Sequence, residues 1–292
     1  MYAHILIATD GSELSGHAVR AGIELARVAR ARATFVTCSV PFGELATDPL
    51  ALRRRDQYEA GAQGAAHTHL EAALAVARAA GVAASGEHCY AEQPWRGILD
   101  TALARRCDVI AMAAHGPRSV AGELLGSETF KVLTHAQVPV LACRERSTPL
   151  RHVLIPTDGS ERSERAIRDG VELAAAAGAR VTVLACSEPF IFRDAESFLN
   201  DDRPEYEEHA LSAARPALAY GESVARQHGV AAVAEHLFVS HPHAAIVHAA
   251  SRLGCDLIVM ASHGRRGVAA LVPGSETLRV LAHSRVPVLV CR

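Results

Sequence analysis

The sequence lacks the features that mark several function classes. None of its apolar runs approaches the ~20 residues a membrane span needs; stretches such as Leu257-Ile258-Val259-Met260-Ala261 are far too short. The opening residues, Met1-Tyr2-Ala3-His4-Ile5, have no basic n-region and no small-residue cleavage site, so no signal peptide is expected. Neither sign of charge dominates: 30 basic residues stand against 32 acidic ones, for a net charge of −2. A sequence-independent nucleic-acid binder and a polybasic membrane-surface protein both need an excess of cations. Lysine is nearly missing, Lys131 being the single one, and no Walker A motif surrounds it, which excludes a P-loop ATPase. Ser12, His115 and Asp10 could be assembled into a hydrolase triad, but no Gly-x-Ser-x-Gly elbow carries the serine. None of the seven cysteines stands at CxxC spacing, which removes zinc ribbons and thioredoxin-like sites. Most sit in apolar runs, where a free cysteine acts as a small hydrophobe. These absences leave a cytoplasmic globular protein without a nucleic-acid or membrane partner. Its length, at ~150 residues per domain, suggests two domains.

What is present is one unit written twice, at an offset of 148 residues. His4-Ile5-Leu6-Ile7-Ala8-Thr9-Asp10-Gly11-Ser12 matches His152-Val153-Leu154-Ile155-Pro156-Thr157-Asp158-Gly159-Ser160. His115-Gly116 matches His263-Gly264, and Gly126-Ser127-Glu128-Thr129 matches Gly274-Ser275-Glu276-Thr277. Val138-Pro139-Val140 matches Val286-Pro287-Val288. The cysteines pair off as 38/186, 107/255 and 143/291, leaving Cys89 alone. The period is too long for a solenoid. It marks a duplicated domain, with expected bounds 1–146 and 149–292 and a seam near Glu145 to Leu150.

Each half alternates short apolar runs with helical patterns, which predicts a parallel sheet with right-handed crossovers. The expected fold class is α/β: two repeated doubly wound sandwiches of five strands each. In the first half the strands are expected near residues 4–8, 33–38, 84–90, 108–113 and 138–143. Ala18, Ile23, Leu25 and Val28 space out a helix after the first strand, and helices follow Pro94 and start at Ser127. Ligands of such sheets bind at the carboxyl ends of the strands, near the switch in strand order.

Two clusters end strands there. One is Thr9-Asp10-Gly11-Ser12; the other is Ala113-Ala114-His115-Gly116, followed nine residues on by Gly126-Ser127. Gly-Ser at a helix start presents free N–H groups and the positive end of the helix dipole, an anion site suited to phosphate. Asp10 or Asp158 could accept hydrogen bonds from a ribose or base. Glycines in such turns also serve tight turning alone. The sixteen histidines include His241, His243 and His248, and His67 with His69, but no adjacent cysteine or carboxylate completes a tetrahedral metal set. No metal site is expected.

With these motifs in view, each half resembles a universal stress protein domain, and the chain is similar to a tandem universal stress protein. The resemblance rests on residues 155–160, the apolar strand 257–260, the loop Ser262-His263-Gly264-Arg265-Arg266-Gly267, and 274–277 through 286–290, with the same landmarks 148 residues earlier. It implies an adenine-nucleotide alpha-hydrolase-like, Rossmann-like fold. In the ATP-binding branch of that family the pattern is Gly-x2-Gly-x9-Gly-Ser/Thr. Here its first glycine is Ala113 in one half and Ala261 in the other, where a Cβ could crowd the ligand. The resemblance implies nucleoside contacts from Asp10 and Asp158, and an adenine edge along the backbone of Cys38 and Cys186. The implied binding set in the second half is Pro156, Thr157, Asp158, Cys186, Met260, Ala261, His263, Gly264, Gly274, Ser275, Glu276 and Thr277. In the first half it is Thr9, Asp10, Cys38, Ala113, His115, Gly116, Gly126, Ser127 and Glu128. The second half, with Arg265 and Arg266 near the expected phosphates, reads as the better site; Pro117 stiffens the corresponding loop of the first. The expected ligand is ATP, with or without magnesium, held by a stress-response regulator that hydrolyses it slowly at most. A nucleotide-free scaffold is the alternative. The resemblance also implies an internal pseudo-dimer through the last strands, and leaves further homodimerisation open.

Overall fold

His4-Ile5-Leu6-Ile7 carries no polar alternate residue except its histidine, so as a strand it must be covered on both faces. That is its place in a computed structural model of the chain, which describes residues 1–43, 49–115, 125–145, 149–191, 203–262 and 273–292, with backbone alone for 49–53. Two units emerge, Met1–Thr148 and Pro149–Arg292.

The first unit runs β1 (His4–Ala8), α1 (Glu13–Ala29), β2 (Arg32–Ser39), α2 (Pro49–Ala79), β3 (Ala84–Tyr90), α3 (Pro94–Ala104), β4 (Val109–Ala113), α4 (Ser127–His135) and β5 (Val140–Cys143). Its strands lie parallel in the order β3-β2-β1-β4-β5. Helices α1 and α2 pack together on one face, and α3 with α4 on the other. The second unit repeats the plan. Its elements are β6 (His152–Thr157), α5 (Glu161–Ala177), β7 (Arg180–Ser187), α6 (Arg203–Gln227), β8 (Ala232–Phe238), α7 (Pro242–Leu253), β9 (Leu257–Ala261), α8 (Ser275–His283) and β10 (Val288–Cys291). Its strand order is β10-β9-β6-β7-β8, again parallel. The doubly wound sandwich expected from the sequence is therefore present in both units. Strand order reverses between β1 and β4, and between β6 and β9. Among the described residues no helix is long and apolar enough to cross a membrane.

Each core is aliphatic. Ile5, Leu6, Ile7, Phe35 and Ile110 are fully buried in the first unit, as are Leu154, Ile155, Ile167, Leu184 and Ile258 in the second. Helix α1 lies close on the sheet because Gly22 faces it: a Cβ there would come within 2.8 Å of the Ile7 side chain and 3.1 Å of the Ala111 Cβ. At the opposite edge from the site, Asp108 receives the N–H groups of Ala3 and His4 at 2.7 and 3.0 Å. The buried His4 ring bridges the Arg105 carbonyl and the Thr34 hydroxyl. Asp256 and His152 repeat both devices.

Pro156 distinguishes the second unit. In β6 the even-numbered positions face β9, as the bond from the Asp256 N–H to the His152 carbonyl shows. Proline at 156 has no N–H to give to that neighbour. The β6–β9 pairing accordingly covers Val153 and Leu154, whereas β1–β4 runs on through Ile7. The ladder therefore ends earlier at the carboxyl edge, where the site lies.

Candidate functional site

The turn after β1 is built by its own side chains. Gly11 adopts φ +75° and Gly159 φ +73°, a left-handed conformation that glycine takes without strain. The Ser12 N–H and hydroxyl both donate to Asp10 Oδ1, at 3.0 and 2.6 Å, and Ser12 caps α1 by accepting from the Ser15 N–H at 3.1 Å. Ser160 does the same for Asp158 and α5. Burial alone would raise the Asp10 carboxyl. The hydrogen bonds from Ser12 and Ser15 outweigh it and hold the group below its ordinary value, an anionic acceptor at neutral pH. Thr9 and Thr157 are buried beneath the turns, bonded to Ser15 and Ser163.

The second cluster ends β4. The Ala113 carbonyl accepts from the Thr129 hydroxyl at 2.7 Å, and the Ala114 carbonyl from the Gly126 N–H at 2.9 Å. These bonds tie the start of α4 to the end of β4. In the second unit the Gly274 N–H donates to the Ser262 carbonyl at 2.7 Å, and Thr277 to the Ala261 carbonyl at 3.1 Å. Here a contrast with α1 and α5 matters. Those helices are capped by serine side chains, but α4 and α8 begin on Gly126 and Gly274 with no side-chain cap. The first-turn N–H groups of a helix have no intrahelical acceptor. At α4 and α8, the helices beside the strand switch, no N-cap side chain covers them.

His115 lies next to this helix start. It is buried, and neither ring nitrogen has a hydrogen-bond partner among the described residues. Burial, then the charge of Arg144, lowers its pKa and keeps the ring neutral. A buried imidazole costs free energy unless its nitrogens are satisfied, so this one is suited to a polar ligand at the helix start.

The sheet register brings most of the expected residues to one edge. Thr9, Asp10, Cys38, Ala113, His115, Gly126 and Ser127 share the carboxyl ends of β1, β2 and β4 or the adjoining helix start. Pro156, Thr157, Asp158, Cys186, Met260, Ala261, Gly274, Ser275 and Thr277 are placed alike on β6, β7, β9 and α8. Gly116 and Pro117, and His263, Gly264, Arg265 and Arg266, lie outside the described residues. Glu128 and Glu276 have a different employment. Glu128 accepts from the Trp95 N–H at the start of α3, and Glu276 from the His243 N–H at the start of α7, both at 2.8 Å. Each carboxylate thus caps the neighbouring helix, which nothing in the local motif foretells. The sequence reading also misses His69. Its ring lies on the Gly11 turn, in the space a Cβ at Gly11 would need, and its Nδ1 is buried without a partner among the described residues. No spacing signal connects His69 to Gly11, because α2 alone decides which of its residues crosses that turn.

The sequence pattern of the universal stress protein family fits residues 1–144 and again 149–292. The chain belongs to the universal stress protein family. A universal stress protein of Thermus aquaticus, from the QAH/OAS sulfhydrylase 3' region, is 31% identical over 140 residues, 48% of this chain and 97% of its own length. Solved structures match the whole chain. A universal stress protein from Archaeoglobus fulgidus DSM 4304 aligns over 99% of this chain and 96% of its own, at 20% identity and TM-score 0.67. A functionally unknown protein from Pseudomonas aeruginosa PAO1 aligns over 99% and 92%, at 19% identity and TM-score 0.66. At such identities these structures speak for the fold alone, that of two universal stress protein domains in one chain.

Proposed function

We propose that the chain is a cytoplasmic adenine-nucleotide-binding regulator of the stress response, holding ATP, with or without magnesium, at the carboxyl edge of the second domain. The observation that carries this reading is the glycine-started helix beside the strand switch. Gly274 opens α8 and, as glycine, brings no N-cap side chain to its N–H groups, while the anchored turn of Asp158 faces the same edge from β6. The helix start supplies donors and a positive dipole for phosphate. The carboxylate supplies an acceptor for ribose.

Two differences favour the second domain. His69 covers the Gly11 turn of the first, and its counterpart at the 148-residue offset is Ala217. Pro156 shortens the β6–β9 ladder at the edge the ligand would enter. The role is binding, read out as conformation or choice of partner, with at most slow hydrolysis. The two domains act as an internal pseudo-dimer.

Isothermal titration with ATP and magnesium tests the assignment. One site per chain is expected. Asp158→Ala should weaken it by about 10-fold or more, the loss of a hydrogen bond to a charged group. Asp10→Ala should leave it nearly unchanged. A Gly274→Val variant that stays folded and binds ATP as tightly as the parent would overturn the site. No binding at millimolar ATP would favour a nucleotide-free scaffold.

A further inference from the structure

The sequence suggests cysteines that act as small hydrophobes, and Cys107, Cys143, Cys255 and Cys291 are buried in that manner. Cys38, Cys89 and Cys186 are only half-buried. Two of these three meet. Cys38 on β2 and Cys89 on β3 are direct register partners on adjacent parallel strands, and their sulfurs stand 2.8 Å apart. Neighbouring strands run about 4.8 Å apart. That lies inside the ~4.4–6.8 Å Cα separation a disulfide spans, so the pair can close with little backbone movement.

The surroundings fit the pair. On α3, Gly97 leaves room for both sulfurs: a Cβ there would lie 3.0 Å from each. Thr101, one turn further on and buried, hydrogen-bonds Cys89. The second domain keeps the backbone and none of these features. The counterparts of Cys89, Gly97 and Thr101 at the 148-residue offset are Leu237, Ala245 and Ala249, and Cys186 has Leu237 as its register partner. The thiol, its space and its hydroxyl partner differ together. Ionisation is divided within the pair. The hydrogen bond from Cys38, helped by Thr101 and opposed by burial, lowers the Cys89 thiol. The same bond, with burial, raises Cys38. Cys186 is pushed up to about 11, chiefly by burial.

We propose that Cys38 and Cys89 form a reversible thiol–disulfide site of the first domain, oxidised by hydrogen peroxide and reopened by a dithiol. The Cys89 thiolate attacks one peroxide oxygen. An S–O bond forms, the O–O bond breaks, and hydroxide departs to take up a proton as water. The Cys38 sulfur then attacks the sulfenic sulfur. The S–S bond forms, the S–O bond breaks, and the hydroxyl leaves with the Cys38 proton as a second water. Two electrons pass from the sulfurs to the peroxide. A dithiol returns them by two thiol–disulfide exchanges and ends as its own disulfide.

The test treats the intact, reduced protein with hydrogen peroxide, counts free thiols after denaturation and maps the peptides by mass. The proposal expects two of the seven thiols to disappear into one Cys38–Cys89 cross-link and to return with dithiothreitol. It expects Cys38→Ser to accumulate a sulfenic acid at Cys89, trapped by dimedone. Retention of all seven thiols at a dose that oxidises an ordinary exposed thiol would overturn it, and so would cross-links elsewhere in place of 38–89. Dimedone labelling of Cys186 in Cys38→Ser, with Cys89 unlabelled, would do the same. None of these readouts depends on ATP binding.

Discussion

Single residues at the edge away from the site already carry a measurable signature. Burial, followed by the charges of Arg32 and Arg180, lowers the pKa of His4 and His152 below their ordinary 6.5. A lowered histidine contributes stability that is complete above the unfolded value. As the pH falls below about 6.5 the unfolded chain takes up its proton first, and that contribution is lost towards the folded pKa. The melting temperature should therefore drop between pH 7 and pH 5. His4→Gln with His152→Gln should make the drop smaller, because glutamine can keep a bond to Thr34 or Thr182 without titrating. An unchanged drop would contradict this role. At this scale the sequence is legible where partners are local. The bonds among Asp10, Ser12 and Ser15 follow from one motif. The meeting of Cys38 with Cys89 is not legible, since 51 residues separate them and only strand register brings them together. The same holds for His69 on Gly11, and for Glu128 turning away to the Trp95 N–H.

At the scale of elements, periodicity located the strands and helices, and the small differences have local causes. The fourth strand, expected from Asp108, begins at Val109, just after the residue whose carboxylate accepts from the Ala3 and His4 N–H groups. The fifth was expected from Val138 and begins at Val140, just after Pro139. What periodicity does not reveal is how closely a helix lies on its sheet. Gly22 would ordinarily gain about 1 kcal/mol of helix stability on replacement by alanine. Here the added Cβ meets Ile7 and Ala111, whose surroundings are fully packed. Gly22→Ala is thus expected to destabilise the first domain by about 1–2 kcal/mol, measured by denaturant unfolding. A stabilised variant would show that α1 lies further from the sheet.

For the whole molecule, the repeat visible in the sequence recurs down to single hydrogen bonds. The His4–Thr34 and His152–Thr182 bonds are one such pair, and the Ser39–His88 and Ser187–His236 bonds are another. Each unit also has its own buried core. Residues 1–148 and 149–292, expressed separately, should therefore each unfold in a cooperative transition; a half that stays unfolded would contradict that independence. The units then diverge in a few residues at their carboxyl edges. His69, Cys89 and Gly97 mark the first, and Pro156 and Ala217 the second. Nucleotide is proposed at the second edge and thiol chemistry at the first. The most direct test is the number and affinity of ATP sites per intact chain by titration, with Asp10→Ala and Asp158→Ala beside the parent. One site is expected, kept at the parent's affinity in Asp10→Ala and weakened by about 10-fold or more in Asp158→Ala. A folded parent chain that binds none, or a single site weakened in Asp10→Ala instead, would contradict this.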